Sequence, residues 1–186
     1  MQYYKIIYDY ENDVDAILVN INEKDLEFDR YDVNQGKRLS VDYVFCKVVE
    51  GFNSNTDYIA NNLAWLIVSE KFKLILSEYN IGNTQFIPVL TEDTRKEIGY
   101  LINSIDKVDA MDISKSLVKR ITYHRDGKEE VYNSVIKYAL YEKKIGNRDL
   151  FILEGNDTSI FISERLKNAL DKARVTGCDY QKVKVS

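Results

Sequence analysis

The phrase IVSEKFK at residues 67–73 returns as FISERLK at 161–167, 94 positions further on. A chain that repeats a capped helix together with its flanking strands is committed to building one supersecondary unit twice. In the first copy the apolar run LAWLIV (63–68) leads to Ser69, a good N-cap, and to Glu70, whose charge suits the first turn of a helix. Phe72, Ile75, Leu76 and Tyr79 then recur at helical spacing as one apolar stripe. Asn80 and Gly82 end the helix, and TQFIPVL (84–90) reads as a strand. Pro88 has no N–H to donate, so this strand is predicted at a sheet edge, or with Pro88 where no ladder bond is needed. The second copy keeps the order. SIFI (159–162) leads to Ser163 and Glu164, then to the stripe Leu166, Ala169, Leu170 and Ala173. Val175, Thr176 and Gly177 stop the helix, and CDYQKVKV (178–185) follows as a strand. Aligned without gaps, 67–89 and 161–183 exchange apolar residues mostly for apolar ones, which predicts two related strand–helix–strand units.

Elsewhere the chain reads as β. YYKIIYDY (3–10), DAILVNI (15–21) and LSVDYVFCKVV (39–49) are strand-like, while ENDVD (11–15) and NQGK (34–37) are turns. EKDLEFDRYD (23–32) alternates acids with Leu26 and Phe28, which predicts a strand with its carboxylates on one face. GFNSNTDYIANN (51–62) is loop-like, and EIGYLINSI (97–105) is a strand. RITYHRDGKEEVYNSVI (120–136) reads as a hairpin turning on Asp126-Gly127, and GNRDLFILEGNDTSIFI (146–162) as another around Gly155-Asn156-Asp157. YALYEKKI (138–145) fits a short helix or a strand equally well. The fold expected is α+β, with a mainly antiparallel sheet, the two related units and few helices. A length of 186 residues suits one domain over 1–186, and a single proline with eight glycines leaves no flexible linker.

Charge is uneven along this chain. Residues 1–62 hold six Lys/Arg against twelve Asp/Glu, a net of −6, so the remainder (63–186) sums to +2 within the total of −4. An acidic first third speaks against nucleic-acid binding and is compatible with a basic protein partner. Glu23, Asp25, Glu27, Asp29 and Asp32 are its densest set. They form either a solvated face that discourages edge-to-edge pairing or a docking surface for such a partner.

Most catalytic and metal readings fail on the residues. His124 is the single histidine, which removes multi-histidine metal sites and nearly all histidine-based triads. HRDG (124–127) matches part of a kinase catalytic loop, yet no glycine-rich phosphate cover and no DFG accompany it. Asp9, Glu11, Asp13 and Asp15 alternate as in a calcium loop, but Val14 and Asn20 stand where that loop needs Gly and Glu. Cys46 and Cys178 lack metal-ligand spacing and read as buried thiols in a reducing compartment. The start shows no basic-then-apolar leader, and no apolar run nears the roughly 20 residues of a membrane span, so a cytoplasmic place is expected. No cofactor, metal or membrane partner is expected.

DYIANNLAWLIVSEKFKLIL (57–76), NTQFIPV (83–89), GYLINSIDKVDAMDISKS (99–116) and IFISERLKNALDKARVTGCDYQKV (160–183) follow one another in an order with a known counterpart. From about residue 57 to 184 the sequence resembles the immunity-protein family of bacterial polymorphic toxin systems called immunity family eleven. The chain thus divides into an acidic β-rich part (1–62) and a family-like part (63–186). The resemblance implies a non-enzymatic protein that binds a cognate toxin domain and blocks it. The alternative, from another class, is a small enzyme or ligand-binding protein with a pocket between the two halves.

Overall fold

Apolar runs of strand length alternate with polar turns along most of the chain, and the backbone follows them. A computed structural model describes residues 1–13, 16–51, 55–125 and 128–186. The chain runs through β1 (Tyr3–Tyr8), β2 (Leu18–Asn20), β3 (Val44–Glu50), β4 (Ala60–Asn61) and β5 (Ile67–Val68) to helix α1 (Glu70–Ser77). It continues through β6 (Thr84–Thr91), β7 (Glu97–Ser104), β8 (Lys107–Val108), β9 (Leu117–Arg125), β10 (Lys128–Lys137) and β11 (Ala139–Leu140). Helix α2 (Glu142–Ile145), β12 (Leu150–Leu153), β13 (Asn156–Ser163), α3 (Glu164–Lys172) and β14 (Cys178–Val185) complete it. The fold is mostly β with few helices.

Instead of the one expected sheet, the strands form two six-stranded sheets and a ribbon. The first sheet runs β11-β14-β1-β13-β12-β8, the second β4-β2-β3-β6-β7-β5, and β9 pairs with β10 alone. Antiparallel neighbours predominate, but β2–β4, β3–β6, β8–β12 and β11–β14 are parallel. Strands β5 and β6 both pair antiparallel with β7, and β13 and β14 both pair antiparallel with β1. Helices α1 and α3 therefore each link two strands separated by a third.

One local alternative is decided and one expectation is corrected. β6 lies inside its sheet, between β3 and β7, so Pro88 is not on an edge strand. The ladder to β3 begins only at Val89, so Pro88 stands just outside it, and no bond is lost there. Residues 23–32 are not a strand. They form two single 3₁₀ turns, Glu23–Asp25 and Arg30–Asp32. The ambiguous 138–145 stretch is both, a short strand β11 and then the turn of α2. The hairpin arms of β9 and β10 pair as expected, while Asp126-Gly127 lie outside the described residues.

Packing joins the two sheets. Ile6 of β1, Ile152 of β12 and Ile162 of β13 share one core with Val68, Tyr100 and Ile102 of the second sheet. Phe72 and Leu76 of α1 and Leu166 and Leu170 of α3 enter the same core, so each apolar stripe finds its place. Both faces of the first sheet are covered, because Phe151, Leu153 and Phe161 point to a second cluster with Tyr3, Ala110 and Leu140. That is why β12 is apolar at every position, with all four of its residues buried. No described helix is long and apolar enough to cross a membrane.

Two buried carboxylates fix the helices. Ser69 and Ser163 cap α1 and α3, accepting from the N–H of Phe72 and Leu166 at 3.2 Å each. Each serine hydroxyl in turn donates to a buried aspartate, Ser69 to Asp57 at 2.6 Å and Ser163 to Asp149 at 2.5 Å. The second oxygen of each aspartate reaches the exit of the other helix. Asp57 accepts from the N–H of Thr176 at 3.0 Å, and Asp149 from that of Asn80 at 3.1 Å. Lys71 and Arg165 supply the opposite charges. Burial alone would raise the Asp149 carboxyl, but hydrogen bonds from Arg165, Ser163 and Asn80 win and hold it below the usual range. A third buried carboxylate, Asp112, accepts from Ser114 at 2.6 Å and is held down at about 2, chiefly by that bond.

Asp149→Ala leaves Asn80, Ser163 and Arg165 without their shared acceptor and is expected to cost about 3 kcal/mol in urea unfolding. Asp112 has a folded value below its unfolded one, so its contribution is complete above about pH 4 and is lost as pH falls toward 2. Asp112→Asn should therefore flatten the acid limb of a stability-versus-pH curve in that window, as read by thermal melts.

Candidate functional site

The five carboxylates singled out in the sequence lie between β2 and β3, on a segment that covers the outer face of the second sheet. Asn and Asp side chains compete with strand ladders by bonding nearby N–H groups, and here they win. Asn22 accepts from Lys24 N at 3.2 Å and donates to Asp25 at 2.7 Å, which closes the first 3₁₀ turn. Asp29 accepts from Tyr31 N at 2.9 Å and caps the second. The in–out alternation survives the change of backbone. Leu26 and Phe28 pack inward on the second sheet's outer core with Val33, Leu39 and Val41, and Phe28 stacks on Trp65 at 6.0 Å.

Buried amides pin the far end of the segment. Asn34, in the left-handed region at φ 62°, donates its N–H to Asn103 and accepts from Ser104 N, both at 2.8 Å. Gln85 bonds both the N–H and the carbonyl of Leu39, at 3.0 and 2.9 Å, as a neighbouring strand would. The segment is a fitted cover.

Its charges are partly neutralised. Glu23 pairs with Arg30 at 2.7 Å and Asp32 with Lys37 at 2.6 Å, both largely exposed pairs of small energetic value. The Glu23 hydrogen bond is the main reason the Arg30 guanidinium is held above its ordinary value. Asp25 and Asp29 serve the turns, and Glu27 points to solvent with no ion pair among the described residues. Tyr31 is 68% exposed and Tyr43 is 42% exposed. Glu27 and Tyr43 border two shallow hollows of about 130 and 480 Å³. Sequence reasoning singled out the acids by number, and tyrosines of this third of the chain only as a class; the signal of Tyr31 and Tyr43 is an aromatic ring in a polar, turn-forming context.

A cleft of about 240 Å³ opens where this segment meets the junction of the sheets, lined by Ile6, Tyr58, Trp65 and Ile160 among others. It lies below the roughly 300–1,000 Å³ of ordinary ligand sites. Its polar rim is already engaged, Arg30 with Glu23 and Asn34 with Ser104. The remaining motifs resolve structurally. Asp13 accepts from Tyr8 and Thr56, Asp9 caps its own turn through Asn12, and Asp15 lies outside the described residues. Among the described residues no group of three His, Cys, Asp or Glu could hold a metal ion. Cys46 is buried, which pushes its thiol up to about 12, and burial raises Cys178 as well. His124 is on β9, but its side chain lies outside the described ones.

Phe28→Ala should loosen the cover over Trp65, the one tryptophan, moving its fluorescence emission to the red and lowering stability by about 2 kcal/mol. An unmoved emission maximum would mean that the segment does not shield the ring.

A model of the immunity protein family (Imm11) matches residues 9–185, which includes the acidic segment. No curated protein matches the chain.

Proposed function

Since the chain belongs to the immunity protein family (Imm11), we propose that it binds a cognate bacterial toxin domain directly and blocks it, without catalysis and without a cofactor. Family membership carries this reading. The place of action is the cytoplasm of the toxin-producing cell, and the partner is a protein rather than a membrane or a nucleic acid.

The docking surface in this reading is the cover segment, with Glu23, Asp25, Glu27, Asp29 and Asp32 as its charged rim and Tyr31 and Tyr43 as anchors. Support comes from three physical features. The segment is held from below by Phe28, Asn34 and Gln85, so little conformational entropy is lost on binding. Exposed tyrosines are the side chains that most often carry interface energy. The hollows beside Tyr43, of about 130 and 480 Å³, are recesses that side chains of a partner protein can fill. The repeated units enter as a stiff frame, read here as two copies of one ancestral piece. Capping serines Ser69 and Ser163, each bonded to a buried aspartate, support that descent.

The test is co-expression with the toxin domain encoded beside this chain's gene, scored for rescue of growth, together with a direct affinity measurement. Asp25→Lys with Glu27→Lys should weaken binding about tenfold and make it less salt-dependent, and Tyr31→Ala should weaken it by a similar factor. If affinity and salt dependence stay unchanged in both variants, the surface is not the one used. If the wild-type chain fails to rescue growth or to bind, the function itself is wrong.

A further inference from the structure

A basic concavity lies away from the acidic segment. Between the end of β10, in the two-stranded ribbon, and β14 of the first sheet lies a cleft of about 510 Å³. Lys5, Lys115, Lys137, Lys182 and Lys184 line it, and among the described residues no acid does. Lys115 reaches the buried Asp112 at 3.4 Å, but no carboxylate among the described residues pairs with the other four. Like charges gathered without counter-charges repel one another, and an acidic occupant relieves that repulsion.

The same cleft offers a strand edge. β11 pairs with β14 only at Lys184 and Val185. There the N–H groups of Lys184 and Ser186 donate to Tyr138 and Leu140. Strand alternation turns the N–H of Lys182 to the same side, beyond the reach of β11. At Tyr180 the row stops, because its N–H is taken by Asp179 at 2.7 Å. Leu117 and Ile136, 52% and 53% exposed, stand on the opposite wall at the base of the ribbon. An uncovered edge facing exposed aliphatic groups is the arrangement that strand addition uses.

We propose that this cleft binds an extended, acidic segment of a partner protein, which adds to the edge of β14 beside Lys182 and sets its carboxylates against the lysines. The occupant alternates acidic and aliphatic residues, acids toward Lys137, Lys182 and Lys184 and aliphatics toward Leu117 and Ile136. A nucleic acid fits less well, since the described residues of the cleft offer no open stacking platform. Tyr138, the one ring among them, is packed edge-on against Phe161 at 4.9 Å, bonded to Ser159 at 2.9 Å, and overlain by Lys5. This surface is independent of the acidic cover segment and does not require that segment to bind a toxin.

The test is fluorescence anisotropy on the full chain with a labelled peptide of alternating Glu and Val long enough to span β14, against a Lys/Val counterpart and oligothymidylate. Saturable binding of the Glu/Val peptide, with little of the Lys/Val one, is the result expected. Lys137→Glu, Lys182→Glu and Lys184→Glu together should weaken it at least about tenfold while melting curves stay close to wild type. Lys182→Pro, which removes the edge N–H, should weaken it further than Lys182→Gln does. No saturable binding, an unchanged affinity in the folded triple variant, or equal effects of Pro and Gln at 182 would overturn the proposal. Oligothymidylate displacing the peptide at equal concentration would overturn it too and give the cleft to nucleic-acid phosphates.

Discussion

A buried carboxylate beside the start of each long helix is the constraint on which the two-sheet arrangement rests. Asp57 and Asp149 each hold the capping serine of one helix with one oxygen and the exit loop of the other helix with the second. Neither helix can shift along its axis without breaking a bond at its neighbour's far end. Because unpaired buried charge is so costly, the arrangement tolerates little slack. The shared core supplies the bulk of the favourable free energy, and the aspartates select which packing of that core is adopted.

How far this was legible from the residues varied with the range of the deciding contact. Ser69, Ser163 and the stripes behind them could be read because capping and amphipathicity act within one or two turns. The side of the sheet that Pro88 occupies could not, since β3 comes from about forty residues upstream and its ladder starts one position beyond the proline. The acidic stretch misled for a different reason. Its period of two was real, but Asn22 and Asp29 bonded their own neighbours and drew the backbone into 3₁₀ turns while leaving Phe28 inward and Glu27 outward. Asp149 gave no local sign at all. In GNRD it looks like any loop acid, and only the folded neighbourhood of Ser163, Arg165 and Asn80 makes it central.

Charge is distributed to match this architecture. The second sheet's cover carries the acids, two of them tied to Arg30 and Lys37, whereas the cleft between the ribbon and the first sheet gathers lysines, four of them without an ion pair among the described residues. A surface whose charges are satisfied locally contributes modestly to steering and leaves specificity to its aromatic groups. A surface whose charges are unsatisfied responds strongly to ionic strength. The two faces therefore differ in physical character as well as in sign.

The position of the first strand has a consequence for how the molecule comes into being. Tyr3 lies opposite Val183 on one flank and Ser163 on the other, so β1 is the seam that the last strands close. During synthesis β1 must wait, without these ladder partners, until β13 and β14 have been made. Contacts of such sequence separation form slowly, because loop closure is charged against them first. The closed first sheet is therefore a property of finished copies and not of nascent ones.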